Sequence, residues 1–174
     1  MTAVIADGAA APDRLEPVWR AVADDFRLVD PQDADAAALS GLHDDLYGLF
    51  TGLGVTDVSA RLALPADYAH FLALAGGFRR RSDDVHDIGL FDIRSVWSWS
   101  DFSCRLFAGG RPAGASMWLT VAEWSDRHEL ALCCDRADPR FGAVVDCKDD
   151  HPWLGGRSID PVGASFTDFL ASLS

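Results

Sequence analysis

The chain lacks any apolar run near the roughly 20 residues of a membrane span, and its first residues, MTAVIADGAAAPD, lack the basic start of a secretory signal. We therefore expect a cytoplasmic protein with no membrane partner. Basic residues are also scarce, since 15 Lys and Arg face 27 acidic residues, of which 24 are Asp, for a net charge of −12. This balance argues against direct binding of nucleic acid, which needs a field of positive charge. It favours solubility and fast capture of a basic partner.

The spacings typical of zinc sites and of common enzymes are missing too. The four cysteines show no CxxC pair, so buried free thiols are expected at Cys104, Cys133, Cys134 and Cys147. The five histidines form no HxH or HExxH, no GxSxG occurs, and the glycines of AGGRPAG lack the spacing of a phosphate loop. We predict no enzyme, no catalytic residue and no cofactor.

What the chain does have is enough apolar material for one core. Hydrophobic residues make up 49% of 174, including ten Phe and six Trp, which suits a single domain and argues against disorder. We expect a flexible segment over residues 1–12, which are small in character, and one domain over 13–174.

Helical patterns dominate the first half. A helix is predicted from Asp13 in a first segment spanning 13–30, with Asp13 and Glu16 as a capping box. A second helix should follow Pro31, with Asp33 or Asp35 as cap, and its HDD triplet at 43–45 should lie mostly on the wet face. The clearest signal is LPADYAHFLALAGGF, in which Pro65 suits the first turn and Gly76 and Gly77 can end the helix.

The period changes after residue 77. VHDIGLF alternates as a strand does, DIRSVWSWSDF fits a short helix or turn capped by Asp92, and strands are expected over 118–124, 129–135 and 142–147. Short links between the last three predict antiparallel hairpins, and SFTDFLASL predicts a closing helix with Ser165 and Asp168 as capping box. The fold class is therefore α+β: a single domain whose antiparallel, mainly meander sheet packs with N-terminal helices and a C-terminal helix.

This order of signals resembles the SUKH superfamily, also called Smi/Knr-type domains. Three motifs carry the resemblance: an LPxDYxxFL helix ending in two glycines, a strand pair with W, LCCD and G.VV, and a final SFxxFL. Their residues are Leu64, Pro65, Asp67, Tyr68, Phe71, Leu72, Gly76 and Gly77, then Trp118, Leu132, Cys133, Cys134, Asp135, Gly142, Val144 and Val145, then Ser165, Phe166, Phe169 and Leu170. The similarity covers residues 35–173, which leaves 13–30 as an extra N-terminal helix.

The resemblance implies protein binding without catalysis. Many bacterial SUKH proteins act as immunity proteins that neutralise a polymorphic toxin, often a nuclease, and fungal relatives regulate the cell wall through protein partners. The chain is thus predicted to be an antitoxin-like protein that binds a basic toxin domain. A regulatory or scaffold domain that binds a host protein is the alternative, and a small metal-dependent hydrolase is a third reading.

The stretch RRRSDDVHDIGLFDIRSVWSWSDF, residues 79–102, supplies most candidate contacts. Its change from arginines to aspartates is expected on a loop that the fold does not dictate, and tryptophans beside carboxylates are typical of binding hot spots. The predicted partner-binding residues are Asp83, Asp84, Asp87, Trp99, Asp101, Asp149, Asp150 and Trp153. A metal site that joins His86 and His151 with these aspartates is the competing interpretation, and we predict none.

Overall fold

The structure, a computed structural model, describes residues 12–32, 34–82, 87–110, 114–124, 128–148, 151–154 and 161–174. Within these ranges the chain forms six α-helices and one seven-stranded antiparallel sheet whose strands follow in chain order. This is the α+β meander that the sequence predicts. None of the described helices combines the length and the apolar content that crossing a bilayer requires.

The helices are α1 (Pro12–Val22), α2 (Ala36–Gly52), α3 (Val58–Arg61), α4 (Ala66–Ala75), α5 (Ile93–Phe107) and α6 (Phe166–Ala171). The strands are β1 (Arg27–Pro31), β2 (Gly77–Ser82), β3 (Asp87–Leu90), β4 (Trp118–Trp124), β5 (Glu129–Cys133), β6 (Val144–Asp146) and β7 (Pro161–Gly163). Consecutive strands are hydrogen-bonded neighbours throughout.

Local capping explains where several helices begin and end. The side chain of Asp35 accepts a hydrogen bond from Ala38 N at the start of α2, and Ser165 accepts one from Asp168 N at the start of α6, as predicted. Gly76 ends α4 in the left-handed conformation, with φ of 63°, where a Cβ would be strained. Asp13 lies inside the first turn of α1, which begins at Pro12, so it does not precede the helix as a cap would.

The three arginines at 79–81 do not lie on a loop, as the sequence analysis expected, but on strand β2. Because side chains alternate along a strand, Arg79 and Arg81 share one face. Arg79 lies over the Trp19 ring of α1 at 5.5 Å, and Arg81 donates to the backbone oxygen of Leu173 at 2.6 Å. Arg80 points to the other face, toward α5. The triplet is thus part of the sheet, anchored on both sides.

The predicted extra helix over 13–30 is only partly a helix. α1 ends at Val22, and residues 27–31 form edge strand β1, which pairs antiparallel with β2. All five residues of β1 are exposed. Its sequence, RLVDP, lacks the alternation of apolar and polar residues that would have identified a strand. The segment therefore supplies both a helix of the core and an edge of the sheet.

Helices cover both faces of the sheet. α1, α4 and α6 pack together on one face, where Trp124 of β4 contacts Phe169 of α6 at 6.3 Å. α5 packs on the opposite face against β4, and α2 packs against α5. The back layer (α1, α4 and α6) and the front face (α5 on β4) therefore lie on opposite sides of the sheet.

Burial confirms the prediction for three cysteines and corrects the prediction for His43. Cys104, Cys133 and Cys134 are buried thiols, as predicted, whereas Cys147 is only half-buried. Burial raises the pKa of Cys133 to about 12, so this thiol is inert. His43, however, is only 8% exposed, whereas Asp44 and Asp45 are exposed. The buried stripe of α2 includes Leu46 and Phe50, which lie three and seven residues beyond His43, so it is wide enough to take in the imidazole.

Asp138 makes the stability of the fold depend on pH in the acidic range. Arg140, which lies 4.8 Å over the Trp118 ring, donates two side-chain hydrogen bonds to Asp138 at 3.0 and 2.8 Å, and Ser116 donates another. Burial would raise the pKa of Asp138, but these hydrogen bonds outweigh it and lower the pKa from 3.8 to about 2. Because the folded pKa lies below the unfolded value, this contribution is complete above about pH 4 and is lost as the pH falls toward 2.

We therefore expect Asp138→Asn to flatten the pH dependence of unfolding in that window. The wild type should lose about 2 kcal/mol more of its free energy of unfolding between pH 4 and 2 than the variant does. Urea unfolding followed by circular dichroism at several pH values measures the difference. Equal slopes for the two proteins would contradict the role of this carboxylate.

Candidate partner-binding surface

α5 leaves three of its large apolar side chains exposed, whereas Ile93, Trp97 and Phe107 pack against the core. Asp92 caps the helix by accepting from Ser95 N at 2.7 Å, and the face toward the core carries small groups, namely Val96, Ser100, Ser103 and Cys104. The outer face carries Trp99, Phe102 and Leu106, with exposures of 38%, 54% and 61%. Their spacing of three and four residues aligns them along the helix. We call these three residues the α5 stripe.

A groove lies beside the stripe. Its cavity of about 310 Å³ is lined by Phe91, Trp99, Glu123 and Glu129, and we call these four residues the acidic groove. The Trp99 ring stacks on Phe91 at 6.0 Å and meets Phe102 edge-on at 5.9 Å. Trp99 therefore belongs to both the groove and the stripe, and it joins them into one surface.

The two glutamates of the groove lie directly opposite each other on neighbouring strands. Glu123 of β4 is paired in register with Glu129 of β5, so the two side chains share a face of the sheet. On the other side of Glu123 the register partner is Gly89, where an added Cβ would meet Glu123 Cγ and Oε1 at 3.1 Å. Gly89 thus leaves the space into which Glu123 leans.

Arg80 is the nearest described cation on that side. Its guanidinium lies 3.7 Å from Glu123 and donates two hydrogen bonds to Asp87 at 2.9 and 2.8 Å. The hydrogen bond from Arg80 lowers the pKa of Asp87. Among Arg80, Asp87, Glu123 and Glu129, the one guanidinium contacts two of the three carboxylates, so this end of the surface is acidic.

Glu129 is held from beneath by the small polar side chains of α5 and β4. Its Oε2 accepts from Ser103 at 2.6 Å and from Thr120 at 3.1 Å. Burial would raise the pKa of Glu129, but the nearby His151 and these hydrogen bonds outweigh it and lower the pKa. Glu129 is therefore kept charged at the floor of the groove.

His151 completes the layer below Glu129. Its Nδ1 accepts from Trp153 N at 3.3 Å, which assigns a neutral ring's proton to Nε2, 3.8 Å from Glu129. Nε2 is buried without a hydrogen-bond partner in the described part of the chain. Ser103 donates to the glutamate and not to the imidazole, so the group lacks the nucleophile-to-base contact of acyl-transfer enzymes. Its geometry suits the positioning of a carboxylate.

The predicted partner-binding residues divide into three groups. Asp87, Trp99 and Asp101 lie on or beside this surface, and Asp101 is paired with Arg105 one turn along α5 at 2.8 Å. Trp153 is only 2% exposed, because it packs between Phe50, at 5.4 Å, and His151, so it is a core residue and cannot contact a partner directly. The rest lie outside the described residues: Asp83, Asp84, Asp149 and Asp150.

The sequence analysis missed Glu123, Glu129, Phe102 and Leu106. The hairpin predicted over 118–135 contained a signal for the first two, since pairing across its short link brings these glutamates opposite each other. The other two depended on the length of α5. With the helix continued to Phe107, the spacing of 99, 102 and 106 forms one stripe.

Two other candidate sites, a metal site and a second cleft, have less support. The described residues contain no cluster of three or more His, Cys, Asp or Glu that could hold a metal ion. Residues 83–86 and 149–150, which the competing metal interpretation used, lie outside the described part of the chain. A second cleft of about 330 Å³ lies between α1 and α4. Its Glu16 is already 3.1 Å from Arg20 and 3.4 Å from His70, so these three groups have partners.

Comparison with known proteins leaves the acidic groove and the α5 stripe as the guide to function. No protein-family model matches the chain, and neither a curated protein nor a solved structure matches it. The resemblance to the SUKH superfamily therefore rests on the sequence motifs themselves.

Proposed function

We propose that this chain is a non-catalytic protein-binding domain that acts in the cytoplasm as an immunity protein, and that it neutralises a basic, nuclease-type toxin by binding it. The observation that carries the proposal is the α5 stripe beside the acidic groove. A helix that served only to cover a sheet would turn its large apolar side chains inward. α5 instead leaves Trp99, Phe102 and Leu106 exposed.

The composition of the surface suits a tight protein contact. Aromatic side chains that are partly exposed and flanked by polar groups supply much of the energy of protein interfaces, since they bury a large area with little loss of rotamer freedom. Trp99 and Phe102 support each other by their edge-on contact, so the apolar centre is preorganised. The carboxylates around them would form the polar rim.

The charge of the chain supports a basic partner. A net charge of −12 accelerates encounter with a positively charged protein, and a nuclease must carry positive charge to hold phosphate. A host regulatory protein is the alternative partner, but the acidic groove favours a basic one. The SUKH-like motifs support the same conclusion, because immunity to nuclease toxins is a common role in that superfamily.

Phe102→Asp tests the proposal against the product of the neighbouring gene, which the immunity role predicts to be the toxin. Placing a charge in the apolar centre should weaken binding at least about 30-fold, as expected for a hot spot worth 2 kcal/mol, and should abolish protection of cells that express the toxin. Isothermal titration calorimetry and growth rescue measure the two effects. Leu74→Asp is the matched control, because Leu74 is 38% exposed on α4, in the back layer.

The control should bind and protect as the wild type does. If Phe102→Asp binds normally while Leu74→Asp does not, the surface is wrongly assigned. If the adjacent gene product is no toxin or does not bind, the immunity role itself is contradicted.

A further inference from the structure

We infer that the acidic groove is a recognition site for a guanidinium group, filled by an arginine side chain of the partner. The inference rests on the proposed function only for the source of that arginine. The site itself follows from the cross-strand glutamates, the aromatic wall and the cavity between them.

The carboxylates of Glu123 and Glu129 repel each other. Like charges directly opposite each other on neighbouring strands are destabilising. Glu123 has partial compensation from Arg80 at 3.7 Å, and Glu129 has His151 at 3.8 Å, but neither contact is a close hydrogen-bonded ion pair. A cation between Glu123 and Glu129 would relieve the repulsion, so the groove is complementary to positive charge.

The shape of the groove favours a flat cation. The Trp99 ring forms one wall and is 38% exposed, and a flat guanidinium stacks on an aromatic face better than a strongly hydrated ammonium does. Two neighbouring carboxylates also match the fork of five N–H donors that arginine presents. The cavity of about 310 Å³ has room for such a head group together with part of its aliphatic stem.

The two carboxylates of the groove are preorganised. Ser103 and Thr120 fix Oε2 of Glu129, while Gly89 lets Glu123 lean toward Arg80. Since both carboxylates are positioned before any ligand arrives, binding costs little side-chain entropy. The stripe residues Phe102 and Leu106 then lie where the chain that carries the arginine would pass.

The test titrates the isotope-labelled protein with N-acetyl-arginine amide and follows the Trp99 indole and the Glu123 and Glu129 amides by NMR. N-acetyl-citrulline amide, which has nearly the same shape without the charge, and Nα-acetyl-lysine amide are the ligand controls. We expect the arginine compound to saturate the shifts at a concentration at least about tenfold lower than either control. Added salt should weaken its binding.

Protein variants locate the site. Glu123→Gln should reduce the affinity for the arginine compound several-fold, while Glu16→Gln, which removes an equal charge in the cleft between α1 and α4, should not. Equal binding of citrulline or lysine, the same loss in both variants, or the absence of shifts at the groove would overturn the inference. These results do not depend on the toxin, because Phe102→Asp tests the stripe and the proposed function separately.

Discussion

Replacing Asp135 by alanine is expected to lower the free energy of unfolding by about 3 to 5 kcal/mol, the usual cost of removing one partner of a buried ion pair. Asp135 is 0% exposed and accepts two side-chain hydrogen bonds from Arg61 of α3, which is itself mostly buried. It also accepts from the backbone N–H groups of Met117 and Ala137. The substitution would strand a mostly buried cation and the buried N–H of Met117 at once.

Urea unfolding of four proteins measures the effect: the wild type, Arg61→Ala, Asp135→Ala and the double variant. The double variant should lose less than the sum of the single losses, because the charge stranded in each single variant is absent from it. Arg20→Ala, which removes an exposed pair with Glu16, is the control and should cost no more than about 1 kcal/mol. Additive losses at Arg61 and Asp135 would show that the two groups do not act as a pair.

Asp67→Ala is expected to cost about 3 kcal/mol, because it leaves three buried donors without an acceptor. The carboxylate of Asp67 accepts from Tyr68 N at 2.9 Å, and from Thr167 N and Oγ1 at 3.0 and 3.1 Å. It therefore joins the start of α4 to α6, which lies 100 positions further along the chain. Thr167→Val removes one of these hydrogen bonds and should cost only about 1 kcal/mol.

The same carboxylate has a pH signature opposite to that of Asp138. Burial raises the pKa of Asp67 despite its hydrogen bonds. Because the folded pKa lies above the unfolded one, the wild type should lose part of its stability as the pH rises from the unfolded pKa through the folded pKa. Asp67→Asn cannot titrate, so the difference in unfolding free energy between it and the wild type should change across that window. A constant difference would contradict the assignment.

Sequence patterns predicted the elements whose signals are local. Asp92, Ser165 and Gly76 identify helix ends because capping involves residues only a few positions apart. The strands β1, β2 and β7 escaped prediction for a different reason. β2 carries arginines on both faces, and its partners for Arg79 and Arg81 come from α1 and the end of the chain, so no local pattern marks it as a strand.

The candidate site was predictable to a similar degree. Trp99, Asp87 and Asp101 were identified by composition, and all three lie at the surface that the structure brings together. Trp153 was assigned wrongly because a tryptophan in a segment without periodicity gives no sign of burial, which here depends on Phe50 of α2. The pairing of Glu123 with Glu129 is a matter of strand register, which needs the exact hairpin geometry.

The contact between the two ends of the described chain has a consequence for the order of folding. Arg14 of α1 lies 3.4 Å from Asp168, 154 positions later, whereas β2 with β3 and β4 with β5 pair across only a few residues of chain. Closing long loops is entropically costly, so we expect the sheet to form first and the back layer to dock last. During synthesis α6 leaves the ribosome after the seven described strands. A nascent chain would thus assemble the groove on its front face before α6 secures the sheet from behind.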